Sequence, residues 1–247
     1  MKILVVGGGG REHAIIKKLK ESKQVDAIFA LPGNGGIAMD ATCVDISATD
    51  TQAIVEFAKH NQIDYCVVAP DDPLVLGTVD ALEAEGIPCF GPRANAAIIE
   101  GSKVFSKNLM KKYGIPTAKY ESFSDEEKAL SYLDTVSFPT VVKADGLALG
   151  KGVIIAMNKE EAVGAVKSMM SEGVFGDSGK RVIIEEFLEG PEVSVLAFTD
   201  GTEFELWISD DRNKLPLYIK SPIRVGSVCA YLSSFEGLRY PLESKVD

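Results

Sequence analysis

The sequence predicts an α/β protein that begins with a doubly wound parallel sheet and ends in a β-rich tail. Over residues 1–101 short apolar runs alternate with helical patterns, which is typical of a parallel sheet built from βαβ units. A strand that ends in a lysine and a glycine-rich loop follow within 140–152. Beyond residue 202 apolar and polar residues alternate with a period of two, which predicts a β-meander.

The order of elements in the first region follows from local signals. The apolar run 3–6 ends in glycines and leads into a helical pattern. Helices at 76–85 and 103–113 each end at a glycine followed by Ile-Pro; glycine adopts the left-handed conformation at low cost, and proline cannot continue a helix. The remaining strands are predicted at 27–30, 42–46, 65–69 and 87–90, and another helix at 51–60.

The second region is predicted to hold strands at 140–143, 152–156 and 181–185 and a helix at 159–171. In the tail, residues 210–213 are predicted to form a turn between strands. We therefore predict three parts, a parallel-sheet domain over 1–101, a second domain over 102–201 and a β-meander over 202–247.

Composition narrows the class of protein. A net charge of −10 argues against a protein that grips a nucleic-acid backbone, which requires a basic surface, although one nucleotide needs only a few lysines and backbone amides. No apolar run reaches the ~20 residues that span a bilayer, and no cleavage pattern follows the apolar start. Four separated cysteines and only two histidines indicate buried reduced thiols and argue against zinc. We expect a cytoplasmic protein that binds neither nucleic acid nor membrane.

Three polar turns follow predicted strands of the first domain. They hold Gly8, Gly9 and Arg11, then Asn34, then Asp71. The carboxyl ends of parallel strands share one edge of the sheet, where ligands bind, and a helix N-terminus offers free amides to an anion. The glycine-rich turn alone is equally well explained as structural, and the other two alone are better explained as ordinary turns, but three at one edge favour a binding site. We expect His13, in the first turn, to pack rather than catalyse.

The stretch 140–153 carries the strongest chemical signal. Lys143 ends a strand, and a loop with three glycines follows. A lysine in this place can hold phosphate groups while loop amides surround the rest. It is not a Walker loop, because Lys151 is followed by Gly152 rather than by serine or threonine. The alternative is a hairpin with surface lysines.

Two further stretches are weaker on their own. Ser102 is a candidate N-cap of a helix on which Lys103 and Lys107 share a face; such lysines are commonly only solvated. The strand within 182–194 runs into a Gly-Pro break, where backbone groups can pair with an adenine base and a later carboxylate can hold a ribose. The alternative is an acidic strand edge.

Together and in order, these motifs resemble the phosphoribosylamine–glycine ligase family of ATP-grasp enzymes. The resemblance rests on Gly-Gly-Arg-Glu-His-Ala, Pro-Gly-Asn-x-Gly-Ile-Ala, Pro-Asp-Asp-Pro-Leu-Val, Glu-Gly-Ser-Lys, Lys-Ala-Asp-Gly-Leu-Ala-x-Gly-Lys-Gly-Val and Glu-Glu-Phe-Leu-Glu-Gly-Pro-Glu-Val-Ser. It runs from Met1 to about Gly201. It implies that 1–101 is a Rossmann-like substrate domain and that 102–201 is an ATP-grasp region, with a lid at about 118–188 and a partial ATP-grasp core; the meander over 202–247 is atypical of the family.

The resemblance also implies a reaction. ATP, with Mg²⁺ or Mn²⁺, phosphorylates glycine, and the amine of 5-phosphoribosylamine displaces the phosphate to give glycinamide ribonucleotide; positioning and charge neutralisation supply the catalysis. A monomer is expected. Lys103 and Lys143 would be the catalytic residues that contact the phosphates, and Gly8, Gly9, Arg11, Asn34 and Asp71 would face 5-phosphoribosylamine. The other implied ATP ligands are Asp145, Gly146, Gly150, Lys151, Gly152, Glu185, Glu186, Leu188 and Glu192.

The tail departs from the family pattern. The metal-binding Glu-x-Asn of the family is not found after Gly201, and Asp211-Arg212-Asn213 is expected to be a turn. From about Glu205 the tail instead resembles the closing strands of β-rich bacterial envelope proteins. The metal ligands are therefore unknown, and we expect ATP binding with weak turnover. Two alternatives stay open, a non-catalytic ATP-binding fragment and another ATP-grasp carboxylate–amine ligase of purine metabolism.

Overall fold

The computed structural model describes residues 1–148 and 152–190 in full, and the backbone of 205–208, 216–222 and 227–231. The chain divides into two compact units, Met1–Phe187 and Leu188–Asp247. Each unit is described by itself.

The first sheet has five parallel strands in the order β3-β2-β1-β4-β5. The central strand β1 is apolar at successive positions and buried almost throughout, as expected for a parallel strand covered on both faces. Leu4 and Val6 pack into the core on one face, and Ile3 and Val5 into the core on the other. The strands are β1 Lys2–Gly7, β2 Ala27–Pro32, β3 Thr42–Cys43, β4 Tyr65–Val68 and β5 Cys89–Phe90.

The helices of this region are α1 Gly10–Lys20, α2 Thr51–His60, α3 Asp71–Val75, α4 Thr78–Ala84 and α5 Ala94–Gly101. Two of these helices differ from the prediction. The helix predicted over 76–85 begins only at Thr78, because Gly77 has φ +83° and interrupts the backbone. The stretch around Asp71, predicted as a turn, forms the short helix α3, whose first turn tolerates Pro73.

The second sheet has four antiparallel strands in the order β6-β9-β7-β8. Val142 and Ile184 face a core formed with the helices that pack on one side. The other side carries Lys143 and Glu185, so the two faces differ in chemistry. The elements are α6 Lys103–Tyr113, β6 Tyr120–Phe123, α7 Glu126–Tyr132, β7 Thr140–Ala144, β8 Val153–Ala156, α8 Lys159–Met170 and β9 Val182–Glu186.

Helix α6 begins and ends as its sequence predicts. The Ser102 hydroxyl accepts a hydrogen bond from the Phe105 amide at 3.1 Å, which satisfies one free donor of the first turn. Gly114, with φ +66°, ends the helix. Helix α7 is not among the predicted helices; its N-cap is Asp125, which accepts from Lys128 N at 3.1 Å.

In the second unit, β10 Glu205–Ile208, β11 Pro216–Pro222 and β12 Ser227–Tyr231 form an antiparallel meander in chain order. The predicted meander is confirmed for these strands, and the predicted turn at 210–213 lies outside the described residues. Within the described ranges, no helix is long and apolar enough to cross a membrane.

Candidate functional site

A buried carboxylate lies between two lysines on the face of the second sheet opposite to Val142 and Ile184. Lys143 of β7 forms an ion pair with Oε1 of Glu185 on β9. Lys107 of α6 places Nζ 2.6 Å from the other carboxylate oxygen, Oε2. Glu185 is only 6% exposed, and such a charge is tolerated only when it is paired. One carboxylate therefore holds two ammonium groups that come from a strand and a helix.

The Lys107 contact is a charge contact rather than an aligned hydrogen bond. Oε2 of Glu185 has no hydrogen-bond partner of good geometry among the described residues. Lys107 instead donates to the Thr117 hydroxyl at 2.7 Å and lies over the Tyr120 ring, 5.4 Å from its centroid. Lys107 is thus held in place independently, and Glu185 keeps unused acceptor capacity.

Lys103 completes a group of three lysines around one cavity. Its Nζ donates to the carbonyl of Gly146 at 2.7 Å. Burial lowers the pKa of Lys103, and the nearby Asp145 carboxylate partly opposes that shift. The cavity has a volume of about 240 Å³. Its lining includes Ser106, Met110 and Leu147 as well as Lys103, Lys107 and Lys143.

Three ammonium groups and one carboxylate, that of Glu100, line this cavity, and this excess of positive charge can bind an anion. Charge-assisted hydrogen bonds to phosphate are about twice as strong as neutral ones, and they gain further strength where water is excluded. Lys103 and Lys107 share one face of α6, as their spacing predicts, and Lys107 lines the cavity although it is not among the predicted ATP ligands.

The Asp145 side chain connects the glycine-rich loop to the start of α6 and to Arg181. Its Oδ1 accepts from the Ser102 hydroxyl at 3.0 Å and from Val104 N at 2.8 Å. Its Oδ2 accepts from Arg181, with Nε at 2.8 Å. Both oxygens are therefore used by the protein itself, and these contacts fix the start of α6, where Lys103 lies.

We expect the Asp145→Ala change to lower the free energy of unfolding by about 2–4 kcal/mol, because it removes a buried carboxylate and leaves buried donors unpaired. Urea unfolding of the two proteins measures the difference. Asp177→Ala is the control, since Asp177 is exposed and pairs with Lys180, and it should have no measurable effect. Equal losses in both variants would contradict the assigned role of Asp145.

The glycines of the loop pack closely. A Cβ on Gly152 would lie 2.7 Å from the Cβ of Ala148, and a Cβ on Gly146 would overlap the Ser178 side chain.

Glu186 is exposed, and its Oε1 accepts from Lys119 N at 2.9 Å. Leu188, in the second unit, is 65% exposed. The predicted ligands Gly150, Lys151 and Glu192 lie outside the described residues.

At the carboxyl edge of the first sheet, two of the predicted turns meet. Asn34 Nδ2 donates to Gly8 O at 2.7 Å, and Asn34 Oδ1 accepts from Gly36 N and Ile37 N at 2.8 and 2.9 Å. A Cβ on Gly8 would lie 2.5 Å from Gly33 O. The Asn34 side chain therefore holds the two turns together through backbone groups.

Arg11 is exposed and lines a second cavity, of about 610 Å³, at the same edge. Beside it, the buried Glu12 accepts a hydrogen bond from Gly9 N at 2.6 Å. Asp71 is exposed on the first turn of α3 and is not part of this cavity's lining. The structure thus brings Gly8, Gly9 and Asn34 together, and places Arg11 at the cavity.

Glu12 lines this cavity and Asp40 contacts His13, and sequence reasoning predicted neither contact. Glu12 lies three residues after Gly9, a spacing that can signal a carboxylate folded back on a helix start. Asp40 has no such local signal; it accepts from His13 Nε2 at 2.9 Å and from Lys20 at 2.8 Å. Lys20 first, and then His13, hold the pKa of Asp40 well below its usual range. This contact fits the packing role expected of His13.

Family models match nearly the whole described chain. Residues 1–100 match the phosphoribosylglycinamide synthetase N domain, and residues 101–215 match the ATP-grasp (A) domain of the same synthetase. The chain belongs to the phosphoribosylglycinamide synthetase family. Because the match continues to residue 215, the expectation that the family pattern ends near Gly201 is wrong for residues 202–215.

Individual relatives agree with this family. Phosphoribosylamine–glycine ligase of Listeria monocytogenes serotype 4b is 49% identical over 233 residues, which are 94% of this chain and 55% of that protein. The Streptococcus pneumoniae serotype 4 ligase is 51% identical over 83% of this chain and 49% of its own length. The crystal structure of the Thermotoga maritima ligase has a TM-score of 0.65 at 31% identity, and covers 91% of this chain and 56% of that one. The chain thus spans about half the length of these family members.

Proposed function

We propose that this chain binds ATP on the face of the second sheet that carries Lys143, with the phosphates in the lysine-lined cavity. The convergence of Lys103, Lys107 and Lys143 on one cavity is the observation that carries the proposal. Membership in a family with an ATP-grasp domain supports the choice of nucleotide. Loop amides beside Gly146 and Gly152 would surround the rest of the triphosphate.

The same face offers an apolar surface for a base. Val153 and Ile155 of the edge strand β8 are 44% and 52% exposed, and they are register partners of Lys143 and Val141. An apolar wall next to a few polar groups is the usual lining of a ligand site. The roles of Glu185, Glu186, Leu188 and Glu192 in holding the adenosine remain part of this proposal.

We infer further that the activity is ATP-dependent ligation of glycine to 5-phosphoribosylamine, as the names of its relatives state for those proteins. In this chain the lysines would neutralise the charge that moves with the transferred phosphoryl group. The turns that contain Gly8, Gly9, Arg11, Asn34 and Asp71 would face 5-phosphoribosylamine, and the exposed Arg11 guanidinium suits its phosphate.

We propose Mg²⁺ or Mn²⁺ as the divalent metal, and this proposal rests on the family. Where side chains are described, no three His, Cys, Asp or Glu residues lie close enough together to hold a metal ion. A cytoplasmic monomer is likewise a proposal, and the net charge of −10 supports small-molecule partners over nucleic acid.

Two measurements on the same preparation test this function. Calorimetric titration with ATP and magnesium tests the nucleotide site, and we expect saturable binding. ADP formation with freshly made 5-phosphoribosylamine, with and without glycine, tests the ligase reaction. Glycine-dependent ADP supports the full proposal, and saturable ATP binding without ADP restricts it to nucleotide binding. Absence of ATP binding contradicts both parts.

A further inference from the structure

Two cysteines lie side by side beneath the cavity of the first sheet. Cys66 of β4 and Cys89 of β5 are register partners on adjacent parallel strands, so their side chains leave the sheet on the same face. Neighbouring strands are about 4.8 Å apart, and disulfides join Cα atoms separated by about 4.4–6.8 Å. Both side chains also belong to one hydrophobic cluster. The backbone therefore places the thiols where a bond between them can form.

The two thiols differ in access. Cys66 is completely buried, whereas Cys89 is partly exposed and lines the 610 Å³ cavity next to Phe90 and across from Arg11. The expectation that the strand cysteines are buried is therefore wrong for Cys89 and for Cys43, because β5 and β3 lie at the edges of the sheet. A small solute that enters the cavity can reach Cys89 but not Cys66.

The thiols also differ in chemistry. Interaction with the neighbouring Cys66 thiol lowers the pKa of Cys89, although burial and the charge of Glu83 oppose this shift; the Cys89 thiol itself donates to Ile87 O at 3.4 Å. Interaction with Cys89, together with burial, raises the pKa of Cys66. The thiolate is the reactive form of cysteine. The accessible thiol is thus the more nucleophilic of the two, and its buried neighbour keeps its proton.

We propose that Cys89 and Cys66 form a redox-active thiol pair that a hydroperoxide oxidises to a disulfide. With hydrogen peroxide, the Cys89 thiolate attacks one oxygen, the O–O bond breaks, and Cys89 becomes a sulfenic acid as the other oxygen leaves as water. The Cys66 sulfur then attacks the Cys89 sulfur, and the displaced hydroxide leaves as water with the Cys66 proton. In sum, two thiols lose two hydrogens and one peroxide gives two waters.

The disulfide would tie β4 to β5 at the floor of the cavity. The backbone two residues after Cys89 is closely packed, since a Cβ on Gly91 would lie 2.9 Å from Leu74 Cδ2 and 3.0 Å from Val68 O. A new bond at Cys89 therefore acts on residues that line the cavity rather than on a loose surface loop. The proposal itself concerns the bond and does not depend on which substrate the cavity takes.

The test uses the full chain, reduced and freed of reductant, and then treated with a small excess of hydrogen peroxide. Intact mass should fall by two hydrogens, non-reducing peptide maps should show a crosslink between the peptides of Cys66 and Cys89, and dithiothreitol should reverse both changes. This readout needs no substitution, so a poorly folded variant cannot obscure it. A disulfide to Cys43 or Cys229 instead, or Cys89 oxidised to a sulfinic acid while Cys66 stays a free thiol, would overturn the proposal, as would no reaction.

Three variants assign the steps. C89S should abolish the loss of two hydrogens. C66A should stop the reaction at a sulfenic acid on Cys89 that dimedone traps. C43S is the matched control, because Cys43 is also partly buried and donates to Asn34 O at 3.6 Å, and it should leave the crosslink unchanged. A crosslink that survives in C89S would contradict the assignment of Cys89 as the attacking thiol.

Discussion

Replacing Lys143 with methionine is expected to weaken ATP binding by about 10- to 100-fold. A hydrogen bond between charged groups contributes roughly 1.5–3 kcal/mol, and each 1.4 kcal/mol is about a factor of ten in Kd. Methionine keeps most of the length and apolar volume of the side chain but removes its charge. The change also leaves Glu185 near the phosphates with one counter-charge fewer, which adds repulsion to the lost attraction.

Calorimetric titration of the two proteins with ATP and magnesium measures this effect. Lys167→Met is the matched control, because Lys167 is exposed on α8, the helix that packs on the opposite side of the second sheet. Its Kd should equal that of the parent. Thermal unfolding of each variant checks that the fold is kept. An unchanged Kd in K143M would remove Lys143 from the nucleotide site.

Local sequence signals account for much of the fold. The apolar run of β1, the serine N-cap of α6 and its terminal Gly114 each depend on only a few neighbouring residues, so they can be predicted from the sequence. The departures occur where a local signal is ambiguous. Gly77 is compatible with a helix interior until its positive φ is known, and Asp71 and Asp72, which also favour turns, suit the first turn of a helix.

The candidate site is less predictable because it depends on contacts between distant residues. Lys143 and Lys103 were predicted from motifs, but the sequence does not say that Glu185 pairs with Lys143. That pairing follows from the register of β7 and β9, in which Val141 is the partner of Glu185. The link from Asp145 to Arg181 likewise requires the folded chain. Whether these residues bind ATP stays a prediction.

Because Glu185 pairs with two lysines, replacing Lys107 is expected to have the second large effect on ATP binding. Lys143 cannot keep its full ion pair with Glu185 and also bind a phosphate oxygen. When Lys143 turns to the nucleotide, Lys107 is the remaining counter-charge, because its Nζ lies 2.6 Å from Oε2 of Glu185. Without Lys107, the release of Lys143 would leave a buried carboxylate unpaired, which costs several kcal/mol. We therefore expect Lys107 to support ATP binding through Glu185.

A double-mutant cycle separates this role from direct contact with the phosphates. K107M should raise the Kd for ATP about tenfold or more in the parent chain, and about twofold or less in the E185Q background, because the amide needs no counter-charge. Lys107 also lines the cavity, so direct contact between Lys107 and the phosphates is the alternative explanation. Under direct contact, K107M would raise the Kd by the same factor in both backgrounds, and the charge-compensation role would be rejected. Melting temperatures of the four proteins identify any loss that comes from unfolding instead of from binding.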